Sequence, residues 1–118
     1  MSVIRYLLDE HIDPAYRSGL LRIEPAISIR CIGDPGVPPR GAADPDVLSW
    51  CERYDTLLVT NNRRSMPRHL SAHVSAGRRL PGILVINPDA GIRRMLDTLW
   101  LIWATGESEI YRDQITFL

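Results

Sequence analysis

Short apolar runs alternate along the chain with segments of helical periodicity. The runs at residues 3–8, 27–32, 56–60 and 82–86 are rich in Val, Ile and Leu, which predicts four buried strands. Residues 114–118 predict a fifth, short strand at an edge. Because strands and helices alternate with short connections, we expect an α/β fold with a mostly parallel sheet of four or five strands and helices on both faces.

Two Asp-Pro dipeptides mark the starts of the first two predicted helices. Asp13-Pro14 precedes a helix that extends to about residue 23, and Asp44-Pro45 precedes the second helix. A capping acid followed by a proline in the first turn favours helix initiation. Both acids are therefore predicted to cap, although a carboxylate at a helix start can face a cleft at the same time.

Two further helices follow the predicted third and fourth strands. Residues 65–76 predict one that Gly77 ends, and residues 90–104 predict a longer one. The longer helix is apolar nearly all round, which predicts burial on more than one side, against the sheet or in a subunit contact. Residues 33–43 hold three Gly and three Pro and predict a loop.

Composition excludes several classes of protein. A length of 118 residues indicates a single domain, 1–118. Fourteen basic residues, all Arg, balance fourteen acidic residues, so the overall charge steers the chain to neither nucleic acid nor membrane. Cys31 and Cys51 lack the spacing of a metal or redox motif and are interpreted as reduced packing residues. No signal-peptide pattern and no long apolar run is present, which predicts a cytoplasmic protein without a membrane partner.

Polar side chains follow the predicted strands at the edge where a parallel sheet binds its ligands. Asp9 and Glu10 come directly after the first strand, and Asn61 and Asn62 follow the third. Several hard oxygen ligands at one edge are what Mg²⁺ requires, and such an ion activates water and neutralises phosphate charge. The alternative is that the two acids simply end a strand in solvent.

The chain segregates positive charge in one segment. Residues 61–79 contain five Arg and two His but no acid, which predicts a phosphate-binding rim for RNA or, alternatively, a solvated helix face. His69 and His73 lie four residues apart, a spacing compatible with a metal site, but a third ligand is missing nearby.

Three motifs together resemble the PIN-like nuclease superfamily. They are LLDE at the end of the first strand, ADPDVLSWC at the second helix and LVT at the end of the third strand. More narrowly, the chain resembles short bacterial PIN-like proteins, many of which are regarded as toxins and are encoded beside small antitoxin partners. The resemblance extends through PGILVINP to YRDQITFL. It implies a three-layer, Rossmann-like domain with strand order 2-1-3-4.

The resemblance also implies a site. PIN domains are Mg²⁺- or Mn²⁺-dependent ribonucleases, and Asp9 and Asp44 match the family's metal-binding acids by position. Thr60 matches the Thr of the family's Thr-x-Asp, whereas Asn62 stands where the Asp is expected; Glu10 matches an acid of less defined, outer role. An amide oxygen can ligate the ion but carries no charge, which removes a Coulomb contribution of about 1–4 kcal/mol.

Two functions are consistent with these observations. The first is a Mg²⁺-dependent ribonuclease, the toxin of a toxin–antitoxin pair, with Asp9, Asp44 and Asn62 at the metal and Arg63, Arg64 and Arg68 on phosphates. The alternative is a weakened PIN-like domain that acts as an RNA-binding or protein-interaction module. In either case the helix at 90–104 is a candidate for a homodimer or antitoxin contact.

Overall fold

A computed structural model describes residues 3–118, which form one five-stranded sheet in the order β2-β1-β3-β4-β5. Every pair of neighbouring strands is parallel. The α/β class and the order 2-1-3-4 are confirmed, and the predicted short strand at the end of the chain pairs with β4 at the edge. The strands are β1 (Arg5–Leu8), β2 (Ser28–Cys31), β3 (Leu57–Thr60), β4 (Ile83–Val85) and β5 (Ile115–Phe117).

Helices cover both faces of the sheet, as expected for right-handed crossovers. One core cluster joins the sheet to α1 and α4, and a second joins the other face to α2 and α3. The molecule therefore has three layers. The helices are α1 (Ala15–Ile23), α2 (Asp44–Arg53), α3 (Met66–Ser75) and α4 (Ile92–Thr105), and a 3-10 turn, η1 (Ser108–Tyr111), precedes β5.

The central strand β3 is buried along its whole length. Because side chains alternate across a sheet, Leu57 and Val59 pack in the α1–α4 cluster while Leu58 packs in the α2–α3 cluster. A strand with both faces covered reads as a continuous apolar run. This burial accounts for the apolar run at residues 56–60.

Helix α4 buries only one face within this chain. Met95, Leu99 and Ile102 are buried, whereas Trp100 and Leu101 are exposed. The prediction of burial on more than one side is therefore wrong for the single chain, and an apolar surface remains on the outside of the helix. None of the helices described for residues 3–118 has the length and apolar character needed to cross a membrane.

Candidate active site

The candidate site lies at the carboxyl edge of β1 and β3. These strands are in register at Leu8 and Val59, so the next residues, Asp9 and Thr60, are neighbours. The Asp9 amide donates to the Val59 carbonyl at 2.9 Å, which extends the ladder by one residue. The fully buried Thr60 side chain donates from Oγ1 to Oδ2 of Asp9 at 2.7 Å. Sheet register therefore fixes the position of the carboxylate that the sequence placed at the centre of the site.

Both oxygens of the Asp9 carboxylate accept hydrogen bonds. Oδ1 accepts the Glu10 amide at 2.9 Å, and Oδ2 accepts the Thr60 hydroxyl. Thr60 Oγ1 in turn accepts the Asn62 amide at 3.1 Å. A buried hydroxyl that both donates and accepts is fully satisfied, and its orientation is thereby fixed. Thr60 is thus a positioning residue for Asp9.

The side chain of Asn62 builds the turn between β3 and α3. Its Oδ1 accepts the Ser65 amide at 3.2 Å, and its Nδ2 donates to Ser65 Oγ at 2.6 Å. Ser65 precedes α3 without capping the helix through its own side chain. The side-chain amide of Asn62 meets both groups of Ser65 at once, since its NH₂ donates to the hydroxyl and its oxygen accepts from the backbone N–H. Its oxygen is partly engaged, and its role as a metal ligand stays a prediction.

Glu10 tethers the proline-rich loop at 33–43 to the same edge. Its Oε1 accepts the Gly41 amide at 3.0 Å. Gly41 has a φ of 85°, a backbone conformation that favours glycine. Because Gly41 lies three residues before Asp44, this hydrogen bond draws the start of α2 toward the end of β1.

Neither acid of the two Asp-Pro dipeptides occupies the N-cap position predicted for it. Asp13 Oδ1 accepts the Ala15 amide at 2.9 Å in a turn just before α1, but the N-cap of α1 is Pro14, which no side chain caps, so the predicted position is wrong by one residue. Asp44 is itself the first residue of α2 and makes no capping hydrogen bond, so that prediction is wrong. The Asp44 carboxylate is therefore not used to cap its own helix.

His69 lies beside Asp44, a contact that the sequence did not predict. Its Nε2 lies 3.3 Å from Asp44 Oδ2, and both side chains are partly buried. His73, four residues farther along α3, lies apart from His69: it is buried at the other end of the helix, with Nε2 2.8 Å from Glu52 Oε1. The available signal was that α2 and α3 both begin at the carboxyl edge, which places early residues of the two helices near each other.

The donors suit a divalent ion only when the ion is shared with substrate. Across residues 3–118, no three side chains of His, Cys, Asp or Glu converge as a metal site would require. Mg²⁺, however, is usually held by one or two carboxylates together with substrate phosphates and water. Asp9 and Asp44 fit that arrangement by chemistry and by their place at one edge of the sheet.

The three arginines predicted to contact phosphate lie beside this edge. Arg64 and Arg68 are exposed and form no ion pair within the part of the chain that the structure describes. The Arg63 guanidinium lies 5.6 Å from the centroid of the Phe117 ring. Arg78 and Arg79, in contrast, pair with Glu52 and Asp113. Only the first part of the Arg-rich segment therefore offers free positive charge.

Cys51 lies in the core on helix α2 and is completely buried as a free thiol. Burial raises the pKa of this thiol to about 12, and the negative charge of Asp9 adds to the rise. The thiol is therefore protonated at neutral pH and does not serve as a nucleophile. This environment agrees with the interpretation of Cys51 as a packing residue.

No protein-family model, curated protein or solved structure matches the chain. The fold and the site together define an α/β domain with an oriented carboxylate at the carboxyl edge of its sheet and a second carboxylate beside a histidine. Arginines without an ion-pair partner among residues 3–118 lie nearby.

We expect Thr60→Val to destabilise the protein by about 1–3 kcal/mol, because the backbone amide of Asn62 loses its acceptor and the Asp9 carboxylate loses the buried hydroxyl that donates to it. Thr60→Ser retains the hydroxyl and is the matched control; its cost is about 1 kcal/mol for the lost methyl. Urea unfolding of the three proteins measures both values. A Val variant as stable as the Ser variant would show that the hydroxyl does not hold the site together.

Proposed function

We propose that the chain is a metal-dependent ribonuclease of the PIN-like class. The observation that carries the proposal is the Asp9 carboxylate, which the buried Thr60 hydroxyl orients at the carboxyl edge between β1 and β3. In open parallel sheets, ligands bind at this edge. An acid fixed there from beneath by a buried donor is arranged for chemistry rather than for solvation.

Asp9 and Asp44 are the residues that would hold Mg²⁺ or Mn²⁺. When bound with substrate, such an ion supplies positive charge that activates water and offsets the charge of the phosphodiester. Thr60 keeps Asp9 aligned through its hydrogen bond, and Glu10 keeps the start of α2 beside it through Gly41. His69 lies beside Asp44, with its Nε2 3.3 Å from the carboxylate.

The choice of RNA rests on the free arginines and on the resemblance to PIN-like proteins. Arg64 and Arg68 present guanidinium groups without carboxylate partners among residues 3–118, and Arg63 lies next to them. Guanidinium groups bind phosphate oxygens bidentately. An RNA strand whose phosphates bind these arginines would place a neighbouring phosphodiester near Asp9.

The biological role that the resemblance implies is that of a cytoplasmic toxin held by a small antitoxin. Trp100 and Leu101 on the outer side of α4 form the apolar surface that such a partner, or a second copy of the chain, would cover. Exposed aromatic and aliphatic side chains of this kind favour protein contacts.

Purified protein with Mg²⁺ or Mn²⁺ is expected to cleave RNA, and Asp9→Asn is expected to abolish the cleavage because the charge that holds the metal is removed. Asp97→Asn, at an exposed position on α4, is the matched control and retains activity. Gel analysis of a mixed RNA pool measures both, with circular dichroism to confirm folding. The proposal fails if no RNA is cut with either metal, or if Asp9→Asn cuts as well as the wild type.

A second candidate function is RNA binding without catalysis. It is favoured by Asn62, whose amide is engaged with Ser65 in a turn next to the free arginines. Such a site would hold phosphate through Arg64 and Arg68 and would need no metal.

For this second function, RNA binding should weaken steeply with salt and should persist in EDTA. Arg64→Gln and Arg68→Gln should each reduce the slope of log affinity against log salt by about 1. Arg93→Gln, on helix α4 across the sheet from α3, should leave the slope unchanged. Fluorescence anisotropy with a labelled single strand gives the slopes, and a strict need for Mg²⁺, or no binding at all, would exclude this function.

A further inference from the structure

A polar concavity lies at the amino edge of the sheet, at the opposite end of the strands from Asp9. Its volume is about 240 Å³, and it opens between the first residues of β1 and β2 and the end of α2. Neither candidate function uses it. The residues that line it are Arg5, Tyr6, Ser28, Arg30, Tyr54 and Thr56.

Sheet register brings the two arginines of this concavity to one face. Arg5 pairs with Ser28, and Arg30 lies two residues farther along β2, so all three side chains are on the same side of the sheet. Leu7, two residues after Arg5, packs in the cluster that contains α2. The arginines therefore face the α2 side, just beyond the point where that helix ends.

An aromatic ring rather than a carboxylate lies against Arg30, and a neighbouring arginine, Arg53, has a similar contact. Arg30 lies 5.8 Å from the centroid of the Trp50 ring, and Arg53 lies 5.6 Å from that of Tyr54. The two rings are themselves 4.8 Å apart. Among residues 3–118, neither Arg5 nor Arg30 has a carboxylate within ion-pair distance. Stacking on a ring leaves the in-plane N–H donors of a guanidinium free for a ligand.

Asp34 is an acid whose charge interacts with Arg30, but its carboxylate bonds to other groups. Burial acts to raise the pKa of Asp34, but hydrogen bonds from the Cys31 amide and the Arg17 side chain lower it overall, and Arg30 contributes a smaller lowering. Asp34 Oδ2 accepts both of those hydrogen bonds. It does not pair with Arg30, whose charge remains uncompensated by a direct contact.

Two hydroxyl groups add neutral donors to the same concavity. Ser28 and Tyr54 are exposed, and their hydroxyls form no hydrogen bond within the described range. Thr56 differs, because its Oγ1 donates to the Tyr54 carbonyl at 3.0 Å. Two guanidinium groups and two free hydroxyls, with no carboxylate among the lining residues, form a donor-rich surface that complements a compact anion with several acceptor oxygens.

We infer that this concavity binds a phosphate group. Like charges that share a face repel each other, and a phosphate between Arg5 and Arg30 removes that repulsion and accepts from both forks. Ser28 and Tyr54 supply the remaining donors. The site stands independently of the ribonuclease proposal, since none of its residues lies at the carboxyl edge.

The test is an NMR titration of the full chain with inorganic phosphate at constant ionic strength. We expect a saturable shift of the Ser28 amide and of the Trp50 indole signal, while the indole signals of Trp100 and Trp103 stay in place. Trp50 is the informative reporter because Arg30 lies over its ring. Arg5→Gln and Arg30→Gln should each weaken binding at least tenfold, whereas Arg93→Gln should not.

Two further probes identify the source of the phosphate. A short oligonucleotide with a 5′-phosphate is compared with the same strand carrying a 5′-hydroxyl, both with Asp9→Asn to prevent cleavage. If the 5′-phosphorylated strand binds more tightly than both the 5′-hydroxyl strand and inorganic phosphate, the ligand is a nucleic-acid end. If inorganic phosphate binds as tightly as the phosphorylated strand, the ligand is the free ion. No saturable shift by any probe up to about 10 mM, or full binding by the Arg5→Gln, Arg30→Gln double variant, overturns the inference.

Discussion

The hydrogen bond from Thr60 to Asp9 is the contact on which the candidate site depends. Thr60 is completely buried, so its hydroxyl needs partners inside the protein: it donates to Asp9, directly after β1, and accepts from the backbone amide of Asn62. These two bonds join the end of β1, the end of β3 and the turn into α3. The parallel register of β1 and β3 makes the contact possible, because it places the two residues side by side.

The side-chain amide of Asn62 has a structural role in this arrangement. It gives up the charge that an acid would bring to the edge, but it closes the turn to Ser65 with both a donor and an acceptor. The carboxylates that remain at the edge, those of Asp9 and Asp44, suit an ion that arrives with substrate rather than one held by the protein alone. In the proposed function, substrate phosphates would therefore supply the ligand charge that Asn62 does not, while Thr60 holds Asp9 in position.

The sequence predicted the strands well and the contacts between helices poorly. Strands such as β3 are buried on both faces, and this burial requires a short run of apolar residues that is easily recognised. The neighbours Asp9 and Thr60 could be anticipated from the parallel order. The pairing of Asp44 with His69 could not, because it depends on how α2 packs beside α3, and local capping propensity suggested a different use for Asp44.

The central claim, that Asp9 and Asp44 hold a metal together with substrate, is tested most directly by measuring free Mn²⁺ with electron paramagnetic resonance. The protein is titrated with Mn²⁺ alone and with an RNA strand whose phosphorothioate linkages keep their negative charge and slow hydrolysis. We predict weak binding without the strand, at least tenfold tighter binding with it, and loss of that gain in Asp9→Asn. Equal affinity with and without the strand, or an unchanged gain in Asp9→Asn, would contradict the account.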